Sequence, residues 1–304
     1  MEIAIIGMGT MGPGMAARLS RGGYNVHVYD ISQSAIERAT TLQPIFAESL
    51  DGLDVMDKGG VIKYYASLQE ALFNANLVIE NIPENIELKS KLYLEFNKSI
   101  SSDVIVATNT SGIPITKLQD SIINPERFLG MHWSNPPHII PMIEVIAGKK
   151  TDATAVAKIQ DLIRSLDLLP VTLKKDVPGF VENRVLYALL RECVDLVEKG
   201  VIEPEDIDTC VKWGIGYKLA VVGPMRLLDM AGLDIYQSVA SFLNSDLCSR
   251  NDVPTIIKLA TERGKLGMKT GAGLFEYTEE DLLKLPMERG AKLVAVRKVL
   301  ESKT

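Results

Sequence analysis

The chain has 304 residues, 46% hydrophobic and 24% charged, which is long enough for two cores and excludes wholesale disorder. Its 33 Lys plus Arg against 39 Asp plus Glu leave a formal net charge of −6, which excludes a general nucleic-acid binder needing a basic face. No apolar run is long enough to span a membrane, the N-terminus enters a strand-like run without a signal-peptide pattern, and Cys193, Cys210 and Cys248 fit neither metal-site nor disulfide-framework spacing, so the expected setting is a reducing cytoplasm without membrane contact.

In chain order, β-branched runs at Ile3–Ile6, Val26–Tyr29, Leu77–Ile82, Val104–Thr108, Phe128–Met131, Ile143–Ile146 and Val171–Leu173 read as strands. Several are continuously apolar, the pattern of a strand buried on both faces. Helical patterns at Gly14–Arg21, Ile86–Lys98 and Thr154–Leu166 fall between them, so the alternation predicts a parallel sheet covered on both sides. After Pro178 strand signals become scarce. Phe180–Lys199 reads as one helix stopped by Gly200, followed by helical patterns at Glu205–Trp213, Met225–Phe242, Thr255–Arg263 and Glu279–Leu300. The expected division is a sheet domain over 1–177 and a helical domain over 178–304.

Gly7-Met8-Gly9-Thr10-Met11-Gly12 follows the first strand and opens a helix, with Pro13 in the first turn, where its missing N–H costs nothing. Strand, glycine turn and helix together place backbone N–H groups and a helix N-terminus against a pyrophosphate. Asp30 closes the second strand, where a carboxylate bonds an adenosine ribose hydroxyl, and Ile31-Ser32-Gln33 brings no arginine for a 2′-phosphate, so NAD is expected over NADP. The fold class is α/β: a Rossmann-type, doubly wound, mainly parallel sheet followed by an all-helical C-terminal domain.

In such sheets ligands lie beyond the carboxyl ends of the strands. Glu80–Asn85, Thr108–Ser111 and His132–Pro137 occupy three such ends. His132 is the best general base, because its unperturbed pKa lies nearest neutrality. Glu144 follows a proline-rich turn that can bring it alongside to orient the ring. On spacing alone, a hydrogen-bonded turn histidine and an edge carboxylate fit equally well. His27 and His138 read as structural. Asn183, early in the first helix after Pro178-Gly179, is placed to donate a hydrogen bond to substrate or cofactor, or to cap its helix.

GMGTMG (7–12), ENIPEN (80–85), NTSG (109–112), HWSNP (132–136), MIEVI (142–146), VPGFVENR (177–184) and KLGMKTGAGLFEY (265–277) stand in the order found in the 3-hydroxyacyl-CoA dehydrogenase family, which the chain resembles over nearly its whole length. The resemblance implies an NAD-dependent dehydrogenase with an N-terminal NAD-binding domain and a helical domain that forms a homodimer. It places the catalytic pair on His132 and Glu144, assisting groups on Ser111 and Asn183, and cofactor-side positions on Glu84, Lys89, Asn109 and Asn135. It calls for no metal.

Departures from the family pattern narrow the substrate. HWSNPPHIIPMIE stands where acyl-CoA members read HFFNP, and resembles members acting on small free acids and alcohols, such as carnitine and gulonate dehydrogenases. The segment that receives CoA phosphates in those members is acidic here, with Glu48, Asp51, Asp54 and Asp57 against Lys58 and Lys63, a poor place for a polyphosphate. The stretches 130–148 and 177–192 look like a branch that oxidises a small carboxylated pyridine aldehyde without a cysteine nucleophile. Trp133 is then a candidate to stack on the ring, and Arg191 and Lys218 to meet the carboxylate. The competing readings are an L-3-hydroxyacyl-CoA dehydrogenase and a non-catalytic NAD-binding protein of the eye-lens crystallin kind.

Overall fold

A computed structural model describes residues 1–302. By internal packing the chain separates into two units, Met1–Asn183 with Leu293–Arg297, and Arg184–Lys292 with the residues from Lys298 on. The first unit therefore ends six residues beyond the expected boundary at 177, and takes back a short piece of the last helix.

The first unit alternates strand and helix: β1 (Glu2–Ile6), α1 (Gly12–Arg21), β2 (Asn25–Tyr29), α2 (Gln33–Gly52), β3 (Ile62–Tyr64), α3 (Leu68–Leu72), β4 (Leu77–Glu80), α4 (Ile86–Ser99), β5 (Ile105–Thr108), α5 (Ile115–Leu118), β6 (Phe128–Trp133), β7 (Met142–Ala147), α6 (Ala153–Ser165) and β8 (Leu169–Leu173). The eight strands form one sheet in the order 3-2-1-4-5-6-7-8. All neighbours are parallel except β6 and β7, which form an antiparallel pair. The short loop between them forces this, because a parallel connection needs a crossover of a dozen or more residues.

Strand alternation divides the core. Ile3, Ile5, Val26, Val28, Leu129, Met131 and Trp133 pack with α1, α2 and α6 on one face. Ala4, Ile6, Val78, Val106 and Phe128 pack with α3, α4 and α5 on the other. Strand β3 and helix α2 were not expected from the sequence. Only three residues long and half exposed, β3 carries too little periodicity to stand out. Pro170 lies in the edge strand β8, where a missing N–H is tolerated.

The second unit is helical: α7 (Glu182–Glu198, its first two residues belonging to the first unit), α8 (Pro204–Thr209), a π-helical segment Cys210–Gly216, α9 (Tyr217–Val221), α10 (Pro224–Ala231), α11 (Leu233–Leu243), α12 (Thr255–Glu262) and α13 (Glu279–Glu301). The single helix expected over Met225–Phe242 is broken at Gly232, whose φ of +103° lies outside helical geometry. Among the described residues, this unit's only buried side chains are Asp195 and Cys248. Its apolar side chains face outward instead, including Leu186, Tyr187 and Leu190 on α7 and Leu233, Tyr236 and Phe242 on α11. No described helix is long and apolar enough to cross a membrane.

Candidate active site

The glycine turn is built by close backbone approach. Gly7 has φ +111°, and a Cβ there would stand 2.4 Å from the Asn81 carbonyl oxygen. A Cβ on Gly12 would stand 2.2 Å from the Gly7 oxygen, so neither position admits a side chain. Gly9 has nothing within 4 Å of its Cβ position, and with Thr10 it is exposed, leaving open space over the N-terminus of α1. Asp30 fixes the turn: one carboxylate oxygen accepts from the Met8 N–H at 2.6 Å and the other from the Ser32 N–H at 2.7 Å. A half-buried carboxylate beside an open, amide-lined turn at a helix N-terminus fits a dinucleotide with an unmodified ribose.

A ladder of amides joins the strand ends. Asn81 Nδ2 donates to the Gly7 carbonyl at 3.1 Å, Asn109 Nδ2 donates to Asn81 Oδ1 at 2.8 Å, and Asn109 Oδ1 accepts from the Trp133 N–H at 2.9 Å. One chain of bonds thus ties the ends of β1, β4, β5 and β6. Beneath it lies Glu80, with no exposed surface, accepting from Lys89 Nζ at 2.7 Å, Tyr93 Oη at 2.7 Å and Thr108 Oγ1 at 2.6 Å. Burial, and then the Glu80 charge, hold the Tyr93 phenol well above its ordinary pKa. Glu84 Oε1 accepts from Thr110 Oγ1 and from the N–H groups of Ser111, Gly112 and Ile113, at 2.6–3.3 Å, which shapes the turn carrying Ser111.

The antiparallel register sets His132 directly opposite Glu144. Paired residues share a sheet face, so the side chains meet: His132 Nδ1 lies 2.8 Å from Glu144 Oε2. The other Glu144 oxygen accepts from the N–H groups of Val181 at 2.9 Å and Glu182 at 3.1 Å. Burial pushes the Glu144 carboxyl up, but the His132 hydrogen bond and the two backbone N–H groups more than offset it, so its pKa lies below the ordinary value. An ionised Glu144 fixes the proton on Nδ1 and leaves Nε2 as a proton acceptor.

Phe180 is fully buried with φ +51°, and its ring centroid lies 5.7 Å from that of His132. That left-handed residue immediately precedes the two N–H groups aimed at Glu144. Glu182 Oε2 accepts from Ser134 Oγ at 2.5 Å and stands 4.0 Å from His132 Nδ1. His132, Glu144 and Glu182 bring donor atoms within 4.8 Å of one another, a set able to hold a metal. Both Glu144 oxygens and one Glu182 oxygen already accept hydrogen bonds, so the set reads as a bonded network.

Asn183 Nδ2 donates to the Ser111 carbonyl at 2.7 Å, which joins two of the residues singled out in the sequence. Asn135 is exposed at the start of a cis peptide bond to Pro136. Two expectations are corrected. Trp133 is 1% exposed and packs in the α1/α2/α6 core, so it cannot stack on a ligand; as the residue after His132 in a strand it must face the opposite side of the sheet. Lys89 is also 1% exposed, its ammonium bonded to Glu80 and the Ile82 carbonyl, which makes it a buried counter-ion. Arg191 and Lys218 belong to the second unit. Glu80, Asn81, Phe180 and Glu182 went unnoticed as individual site members. Only Glu80 left a signal, as a carboxylate ending an apolar run.

His138 is buried with its Nδ1 unpartnered, its ring centroid 4.4 Å from that of Phe46, and burial pushes its pKa down to about 4. His27 bonds Glu2 at 2.8 Å. Both are structural in their surroundings.

Residues 2–177 match the NAD-binding domain of 3-hydroxyacyl-CoA dehydrogenase, and residues 179–277 match its C-terminal domain. The chain is 60% identical over 305 aligned residues to 5-formyl-3-hydroxy-2-methylpyridine 4-carboxylate 5-dehydrogenase of Mesorhizobium japonicum, covering 99% of each. It is 32% identical to a probable 3-hydroxybutyryl-CoA dehydrogenase of Deinococcus radiodurans, covering 91% of this chain and 100% of that one. Among solved structures, a 5-formyl-3-hydroxy-2-methylpyridine 4-carboxylic acid 5-dehydrogenase, an NAD+-dependent dismutase, superposes with a TM-score of 0.97 at 60% identity, covering 100% of this chain and 99% of that one.

Proposed function

The chain belongs to the 3-hydroxyacyl-CoA dehydrogenase family and is an NAD-dependent dehydrogenase, and from that premise we propose that it oxidises 5-formyl-3-hydroxy-2-methylpyridine 4-carboxylate, a step in vitamin B6 breakdown, using His132 and Glu144 as its proton-transfer pair. The observation that carries this reading is the 2.8 Å contact between His132 Nδ1 and Glu144, buried and facing one another across two strand ends.

Gly7, Gly9, Thr10, Met11 and Gly12 would hold the pyrophosphate of NAD and Asp30 its adenosine ribose, with Asn109 and Asn135 toward the nicotinamide end. NAD supplies the hydride acceptor for oxidation and, once reduced, the hydride for the reverse reduction. His132 Nε2 takes a proton from water as the water adds to the aldehyde carbon, and its imidazolium is stabilised by Glu144. With that proton held on the imidazolium, the tetrahedral alkoxide left by the addition reforms its C=O as its C–H bond breaks and the hydride leaves for the nicotinamide. This yields the carboxylic acid, and His132 then releases its proton to solvent. In the reverse sense the imidazolium returns a proton to an alkoxide. One base working in both directions is what dismutation of an aldehyde to acid and alcohol requires. Ser111 and Asn183 hold the developing oxyanion. Arg191 and Lys218 remain our candidates for the substrate carboxylate.

We further propose a homodimer formed through the helical unit. A unit of about a hundred residues with two buried side chains lacks a core of its own, and its outward apolar faces on α7 and α11 need covering. A second copy of this chain is the occupant the family expectation names.

The test is NADH formation by purified protein with the pyridine aldehyde and, in parallel, L-3-hydroxybutyryl-CoA. Turnover of the aldehyde alone is expected. Turnover of the CoA ester alone refutes the substrate, and failure on every substrate tried supports the crystallin-like alternative. His132→Ala is expected to abolish turnover while NADH binding, read by its fluorescence, stays within about twofold. Loss of both makes His132 structural.

A further inference from the structure

The family's C-terminal domain match ends at Tyr277, and the next residue, Thr278, caps α13 through a reciprocal bond with Asp281. The whole of α13 therefore lies beyond the stretch that the family's domain model matches. Its residues Leu293–Arg297 pack within the first unit. Val294 lies 3.3 Å from the Cβ position of Gly52 at the end of α2. Arg297 is only 7% exposed, and its Nη1 donates to the Ile139 carbonyl at 2.8 Å.

Ile139 sits in the segment 134–141 that joins β6 to β7. This segment carries Asn135 and has His132 just before it and Glu144 just after. At its start the segment is held by Ser134 Oγ donating to the Glu182 carboxylate at 2.5 Å; around Ile139 the attachments are of another kind. His138 packs its ring on Phe46 of α2, and Pro141 accepts a single hydrogen bond from the Leu169 N–H at 2.9 Å. A guanidinium is costly to bury, whereas an apolar side chain would fill the same space without desolvating a charge. What the planar donor fork adds is a fixed direction for the carbonyl it holds.

We propose that Arg297 is a positioning residue: α13 is a strap, and its guanidinium fixes the apex of segment 134–141 so that Asn135 and the His132–Glu144 pair keep their working geometry. Arg297 acts through the loop and touches no reacting atom. The proposal rests on the proton-transfer role assigned above to His132 and Glu144.

Its test has two arms. The first is amide hydrogen exchange of the peptide spanning 134–141, in full-length protein without substrate. Arg297→Ala is expected to speed exchange there by about tenfold or more, while the peptide spanning α1 is unchanged. The second is kinetic. Kcat with the aldehyde is expected to fall about ten- to hundredfold, the range that a small misplacement of reacting groups produces, with NADH affinity within about twofold. Arg297→Lys is expected to recover part of that loss, and millimolar guanidinium added to Arg297→Ala to recover more. Unchanged exchange in 134–141 overturns the strap, and raised exchange with unchanged kcat overturns the positioning role. Parallel loss of NADH binding, or exchange raised throughout the protein, makes Arg297 merely structural. If Arg297→Ala does not fold, Arg297→Lys is read in both arms. A wild-type protein that is silent on the aldehyde, with exchange raised in 134–141 by Arg297→Ala, refutes the substrate and leaves the strap standing.

Discussion

Replacing Glu144 by Gln is a nearly isosteric change at a site where every acceptor is in use. The carboxylate takes the His132 Nδ1–H on one oxygen and two backbone N–H groups, from Val181 and Glu182, on the other. An amide has one acceptor oxygen, so it can satisfy only one side. If the oxygen stays with the backbone donors, the NH2 group faces His132 and demands that Nδ1 accept. The ring proton then moves to Nε2, the atom that must take the substrate proton. If the amide turns the other way, its NH2 meets two N–H donors in a site that is 1% exposed, and lost hydrogen bonds there cost about 1–3 kcal/mol each. The first orientation is the cheaper, and its penalty falls on chemistry: a wrong tautomer lowers kcat by roughly 10³–10⁴ in comparable histidine–carboxylate pairs. The assay is NADH formation with the aldehyde, alongside thermal unfolding and NADH binding. The expectation is near-complete loss of kcat, a modest fall in melting temperature and unchanged NADH affinity. A variant that keeps turnover within about tenfold of wild type refutes the tautomer argument. The pH dependence supplies a second check. Because the folded Glu144 carboxyl lies below its ordinary value, its contribution to stability is present above the unfolded pKa and is lost as pH falls through the folded one. The Gln variant should lose that part of the acid dependence.

Asp30→Ala is expected to raise KM for NAD by about tenfold or more and to narrow the preference over NADP, because it removes both the ribose acceptor and the Met8 N–H anchor; an unchanged ratio of kcat/KM for the two cofactors counts against the assignment. His138 titrates at 6.5 in an ordinary setting and about 4 here, so the unfolded chain binds its proton first, and stability falls as pH drops from 6.5, by about 3 kcal/mol at pH 4. His138→Leu should flatten the denaturation midpoint over that window, and an equal slope in both proteins counts against it. Phe242→Asp, placed on an exposed apolar face of α11, is expected to shift sedimentation from dimer to monomer and to make unfolding begin in the helical unit; a wild-type monomer at micromolar concentration, with an unfolding midpoint independent of concentration, rules out the dimer.

The glycine turn and Asp30 were legible because each follows from local rules, whereas the His132–Glu144 meeting was allowed by spacing and favoured only by the family resemblance. Strand followed by turn followed by helix fixes the first two, while the short proline-rich link allowed a return for the third and the antiparallel register of β6 and β7 is what brings it about. Trp133 was misread although the needed rule was equally local: alternate residues of a strand face opposite ways, and His132 had already claimed one side. The pairing of Lys89 with Glu80 escaped because a buried ion pair between a strand end and a helix leaves no pattern that joins the two segments, although Lys89 was named on the resemblance and Glu80 stood out as a carboxylate ending an apolar run. Arg297 lies 158 residues from the carbonyl it holds, and nothing in the periodicity of α13, with its mostly exposed surface, singles it out.

Phe180 gives the site a peculiar evolutionary position. A non-glycine residue at φ +51° costs about 1–2 kcal/mol, and glycine would relieve that cost at once. Glycine would also empty the space beside the His132 ring and loosen the turn that aims two N–H groups at Glu144. Emptying a fully buried aromatic site costs about 3–5 kcal/mol, more than the strain it relieves, so selection for stability and selection for turnover both hold an aromatic ring at position 180. A library sorted for melting temperature and one sorted for activity should therefore both keep an aromatic ring at this residue, as they should at Trp133 on the other face of the sheet, and the strained backbone at 180 persists because its side chain is worth more than the strain costs.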